Sequence, residues 1–169
     1  AEAGLPDGVL NIVQGIGSTA GAALVAHADI DRISFTGSTP TARSIGRAAA
    51  ETLTPVSFEL GGKSPFVVLA DADLDAAAQT IVAQYMNAGQ VCLSGTRIIV
   101  DASVADELLE KVRTNAAALV VGDPRLPETR IGPLIHPTHA ARVDGFVERA
   151  VKDGARVLWG GGRHDAGEL

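Results

Sequence analysis

The sequence predicts an α/β fold, and three observations predict it. Short β-branched runs alternate with longer segments of helical periodicity, the pattern of parallel strands joined by crossover helices. Two of the early runs lead directly into glycine-bearing turns, as successive strand-turn-helix units do. Apolar residues make up 46% of the 169 positions against 20% charged, which is enough for a core and too apolar for a disordered chain.

Element by element, Val9 to Val13 predicts a strand, Gly15 to Ser18 a turn, and Thr19 to Ala28 a helix. Ile33 to Phe35 predicts a second strand, running through Thr36-Gly37-Ser38 into a helix over Thr41 to Thr52. Val56 to Phe58 and Phe66 to Leu69 are further strands. Between them Gly61, Gly62 and Pro65 bar a continuous ladder and mark a domain crossing. Leu74, Ala77, Ala78, Ile81, Val82, Tyr85 and Met86 fall at the spacing of one buried helical face, which ends at Asn87-Ala88-Gly89. A strand over Arg97 to Val100 follows, then a helix over Val104 to Leu119 with Ser103 as its N-cap. The four prolines between Gly122 and Pro137 make that stretch a loop. A helix over Ala140 to Asp153 and a strand over Ala155 to Trp159 complete the pattern.

Charge narrows the partners. Twenty acidic against 14 basic residues give a net charge of −6, with no basic run, so nucleic acid and anionic membrane are poor partners. No stretch approaches the roughly 18 apolar residues of a membrane span, and the start lacks the layout of a secretory signal, so a cytoplasmic location is expected. One cysteine and four scattered histidines give no metal spacing, so no metal is expected. Ala1 to Ala3 read as the last turn of a helix stopped by Gly4 and Pro6, and the far end stops in a glycine-rich stretch. The chain is therefore expected to be a piece of a longer protein.

A lone cysteine is more often a small buried hydrophobe than a nucleophile. Cys92, however, closes the segment Asn87-Ala88-Gly89-Gln90-Val91-Cys92 between an amphipathic helix and a strand, where rigid elements present reactive groups. Backbone amides of such a turn can face a developing oxyanion, and a thiol there can attack a carbonyl. Glu59 ends an apolar strand beside two glycines and is the candidate base; taken alone it would read as a solvated strand-end carboxylate.

For a cofactor, Gly15-Ile16-Gly17-Ser18-Thr19-Ala20 fits the G-x-G-x-x-A pattern of dinucleotide-binding turns. Glycine-rich strand-to-helix turns are common in any α/β protein, so the match equally suits a plain connecting turn.

Phe58-Glu59-Leu60-Gly61-Gly62-Lys63-Ser64-Pro65 and Asn87-Ala88-Gly89-Gln90-Val91-Cys92 closely resemble the two signature segments of the aldehyde dehydrogenase superfamily. The resemblance runs in the family's order from Gly4-Leu5-Pro6-Asp7-Gly8 through Phe35-Thr36-Gly37-Ser38 to Gly132-Pro133-Leu134. It implies a Rossmann-like parallel-sheet cofactor segment over residues 1–58, the C-terminal part of an NAD(P)-binding domain, followed by an α/β catalytic segment over residues 59–169, the N-terminal part of a catalytic domain.

It also implies oxidation of an aldehyde to a carboxylic acid with NAD, or NADP as the alternative. Cys92 would form a thiohemiacetal and then a thioester, which water activated by Glu59 would hydrolyse. By the same resemblance the pyrophosphate belongs at Gly37, Ser38 and Thr39, the adenosine borders Gly17 and Ser18, and Leu60 lies near the nicotinamide. Ala42 is counted with them as a cofactor-binding position, although it stands where the family often has glycine, with Pro40 close before it. The full-length protein would be a homo-oligomer, a dimer or tetramer, and its partner a small aldehyde. The rivals are acyl transfer to coenzyme A, a non-catalytic truncated piece, and an unrelated cysteine hydrolase. The last lacks a histidine placed for it, since the four fall at 27, 136, 139 and 164.

Overall fold

In the computed structural model, residues 3–163 are described, and they divide after Gly61 into two compact units. In the first unit β1 (Ile33–Gly37) and β2 (Val56–Leu60) pair in parallel, with Ile33 opposite Val56 and Gly37 opposite Leu60. The connection between them is α2 (Thr39–Thr52), preceded in the chain by the short helix α1 (Ala22–Val25). Ala42, Ile45 and Ala49 lie on one stripe of α2 and are buried. Ile45 and Ala49 close a core with Ile33, against which Phe35, Val56 and Phe58 pack. Phe35 and Phe58 meet edge to face at 6.4 Å, the arrangement the ring quadrupoles favour.

In the second unit β3 (Pro65–Val68) and β4 (Arg97–Val100) are also parallel, Pro65 opposite Arg97 and Val68 opposite Val100. The crossover contains α3 (Leu74–Ala83), and α4 (Ala105–Ala117) follows β4. Asp73 starts α3 by accepting the amides of Asp75 and Ala76, satisfying two donors that a helix end leaves over. Val68, Ala77, Ala78, Ile81, Val82, Leu108 and Val112 form the core between the strand and the two helices. At its rim Lys111 Nζ lies 2.6 Å from Asp75, and this hydrogen bond raises the lysine's pKa. The last helix, α5 (Pro137–Lys152), is capped by His136, whose Nδ1 accepts the Thr138 amide.

Several expectations are corrected. Val9 to Val13 and Ala155 to Trp159 form no ladder among the described residues; a strand exists by pairing, and these apolar runs are exposed without a partner strand. The turn after Val13 is helical from Gly17, two residues earlier than expected. Ser103 does not cap α4: its amide and hydroxyl both donate to Asp101, and Val104 occupies the cap position. Tyr85 and Met86 are not part of the buried face, because α3 ends at Ala83 and the chain turns away. The loop after Val121 gives way to helix at Pro137, earlier than Ala140, since proline suits a helix's first position.

Candidate active site

The residues singled out for chemistry fall in both units. In the first, the parallel register sets Thr36 opposite Glu59 and Gly37 opposite Leu60, so the two strand ends and the start of α2 are neighbours. Glu59 is exposed and Leu60 half-buried. A Cβ on Gly37 would come within 2.5 Å of the tip of the Phe35 ring, so the absence of a side chain lets that ring fold over the strand end. Ser38 is the N-cap of α2: its Oγ lies 2.9 Å from the Thr41 hydroxyl and accepts the Thr41 amide. Thr39 is the first helical residue and is exposed. Pro40 sits in the first turn, where its missing N–H needs no intrahelical partner.

Ala42 is buried, with its amide donating to the Ser38 carbonyl at 2.9 Å. Gly17 and Ser18 lie exposed in the helical turn Gly17–Gly21. No strand precedes that turn among the described residues, so the strand-turn-helix setting of a dinucleotide fingerprint occurs at Gly37 and not at Gly17.

In the second unit Cys92 follows the turn Met86–Gly89 and is an exposed free thiol, which removes the buried-hydrophobe alternative. Asn87, Ala88 and Gly89 all take left-handed φ values, 53°, 53° and 73°. For Ala88 that conformation costs about 1–2 kcal/mol. Among the described residues the Cys92 amide makes no hydrogen bond, so it is a free donor beside the thiol. Ser94, two residues on, is buried and its amide donates to the Val91 carbonyl.

Sequence reasoning missed Gln84, whose side chain holds the end of this loop. Its only local signal is a polar residue just after an apolar helical face. A shallow depression lined by Asp75, Glu110, Lys111, Thr114 and Asn115 belongs to the α3–α4 ion pair and not to the thiol. No helix among the described residues is long and apolar enough to cross a membrane.

With this geometry in place, comparison with known proteins decides the family. Residues 1–168 match the aldehyde dehydrogenase family. The chain belongs to that family. It is 43% identical over 162 residues to human 4-trimethylaminobutyraldehyde dehydrogenase, covering 95% of this chain and 33% of the relative. It is 48% identical to the mitochondrial aldehyde dehydrogenase of Leishmania tarentolae, again over 95% of this chain and 32% of the relative. Among solved structures, the NAD+ complex of a Bacillus cereus aldehyde dehydrogenase superposes with a TM-score of 0.91 at 41% identity, covering 96% of this chain and 33% of that one. The chain thus spans about a third of the length of the aldehyde dehydrogenases it matches.

Proposed function

We propose that this chain forms part of an NAD(P)-dependent aldehyde dehydrogenase in which Cys92 is the nucleophile and Glu59 the general base. The observation that carries the reading is the exposed Cys92 thiol with its own amide left free, on the loop that joins α3 to β4 in a chain of this family. A thiolate there can bond the aldehyde carbon, and the resulting oxyanion can accept from the Cys92 N–H.

The strand ends and α2 suit a dinucleotide. The first turn of a 14-residue helix is open to solvent at Ser38 and Thr39, with hydroxyls from Ser38 and Thr41 beside it, and such a terminus favours phosphate. Gly37, Ser38 and Thr39 are assigned to the pyrophosphate, Gly17 and Ser18 to the adenosine, and Leu60 to the nicotinamide. Ala42, in the first turn of α2, is assigned to the same cofactor site. A nicotinamide dinucleotide held by these residues would supply the hydride acceptor needed for the Cys92 adduct to become a thioester. Glu59 then takes a proton from water, the water oxygen bonds the acyl carbon, and the C–S bond breaks to return the thiolate and release the acid. NAD is preferred to NADP. Residues up to 58 are assigned to the cofactor domain and those from 59 to the catalytic domain.

A second reading, that the chain by itself does not turn over, is favoured by exposed Leu10, Ile12 and Val13 together with the one-third span. Acyl transfer to coenzyme A is disfavoured by Glu59, which suits water as the acceptor. A homo-oligomer and a cytoplasmic location complete the proposal, to be checked by light scattering and cell fractionation.

The test is reduced-nicotinamide formation at 340 nm, by this chain and by the whole gene product, over a panel of aliphatic and aromatic aldehydes with and without coenzyme A. Acid production sensitive to iodoacetamide supports the reading. Release of a coenzyme A thioester would replace it, and turnover indifferent to Cys92 alkylation would sink it.

A further inference from the structure

The loop that carries Cys92 is shaped by side chains. Within it, Asn87 Nδ2 donates to the Gln90 carbonyl at 3.1 Å, and Gln90 Nε2 donates back to the Asn87 carbonyl at 3.0 Å. At its ends, the Gln84 carboxamide uses both of its functions. Nε2 donates to the Thr80 carbonyl at 3.0 Å, inside α3, and Oε1 accepts the Gly95 amide at 3.2 Å, eleven residues along the chain. Gly95 is seated tightly on β3, where a Cβ would lie 3.0 Å from the Phe66 Cβ.

We infer that Gln84 is a positioning residue for Cys92, its carboxamide acting as a clasp that closes the loop from residue 85 to residue 95 onto the end of α3. The inference rests on the reading of Cys92 as nucleophile and deepens it. Because the thiol is exposed, its direction is inherited from the backbone on either side. That backbone passes through left-handed Asn87 and Ala88, a conformation an L-residue leaves unless its surroundings hold it. The reciprocal Asn87–Gln90 pair holds the turn locally, and the Gln84–Gly95 bond fixes the return of the chain, so Cys92 sits between two anchored points. A carboxamide is required in full only if both ends matter, since it alone offers a donor to Thr80 and an acceptor to Gly95.

Three measurements test the clasp. In the wild-type chain the Gly95 amide should be protected from hydrogen exchange; exchange at the rate of an open loop would end the proposal without any variant. In the whole gene product, Gln84→Met keeps the length and loses both partners. It should lower kcat about tenfold with the aldehyde KM changed less than about twofold, as expected when a reacting group is misplaced and binding is not. Gln84→Glu, which keeps the acceptor for Gly95 but loses the donor to the Thr80 carbonyl, should recover only part of that loss. A Gln84→Met protein with wild-type kcat, while Cys92→Ser is inactive, would remove the clasp and leave the nucleophile reading standing. Turnover retained by Cys92→Ser would remove both.

Discussion

The two regions that carry the proposed chemistry are built on different principles. The turn at Gly37 and Ser38 is fixed by regular structure: five parallel register pairs hold β1 to β2, and a side-chain cap starts a 14-residue helix. The loop at Cys92 has no regular ladder and is fixed by three amide side chains and three left-handed residues. Backbone periodicity therefore specifies the first, and individual side chains specify the second. A substitution that leaves secondary structure untouched should be mild at one and severe at the other.

The largest effect is expected where the loop meets chemistry. Cys92→Ala in the whole gene product should cut aldehyde oxidation by at least about 10³-fold, some 4 kcal/mol of transition-state stabilisation, while nicotinamide fluorescence still reports cofactor binding. A loss of cofactor binding as well would show that the two regions are not separable. Glu59→Gln should keep a pre-steady-state burst of reduced nicotinamide and slow the steady state by about 10²-fold, the low end of what a general base contributes. A steady state at the wild-type rate would take the base role from Glu59.

At the regular turn the expected effect is physical before it is chemical. Gly37→Val drives a side chain into the Phe35 ring, and overpacking of this kind costs about 1–3 kcal/mol in urea unfolding. The cofactor dissociation constant should rise with it, which calorimetry reads directly; unchanged affinity would move the phosphate elsewhere.

The comparison sharpens further with one substitution made in both kinds of structure. Ala88→Gly relieves a left-handed alanine and should raise stability by up to about 1 kcal/mol. Ala78→Gly, in the buried middle of α3, should lower it by about 1 kcal/mol or more. Equal signs would mean that the left-handed turn is not populated in solution.

The smallest effect is the response to acid. Hydrogen bonds from Ser103 hold the Asp101 carboxyl below the usual carboxylate range, and hydrogen bonds from Arg125 do the same for Asp123. A pKa lower in the folded than in the unfolded chain means that the stabilisation is present above the unfolded value and is lost as pH falls through the folded one. Asp101 is exposed and Asp123 half-buried beside Arg125 at the surface, so both contribute little. The unfolding midpoint should slide below about pH 4, and Asp123→Asn should make that slide shallower.

How much could be read in advance follows the same division. The strand Arg97 to Val100 has the bounds that its β-branched run predicts, and Ala77, Ala78, Ile81 and Val82 are buried at helical spacing, because both signals are periodic. Val9 to Val13 carries the composition of a strand but no partner among the described residues, and composition cannot supply one. The Gly37–Leu60 pairing depends on register, which neither run reveals by itself. At Cys92 the motif marked the loop, whereas the Gln84–Gly95 bond joins residues eleven apart through a side chain, and a polar residue after an apolar helical face does not say what it bonds.

Each of the two ladders contains two strands among the described residues, so every strand shows one row of amide and carbonyl groups to whatever comes alongside. During synthesis those rows are templates before they are architecture. Pairing with a strand of the same polypeptide is first order and indifferent to abundance, whereas pairing with another copy is second order and grows with it. The yield of folded protein from a gene carrying this chain is therefore expected to fall as expression rises.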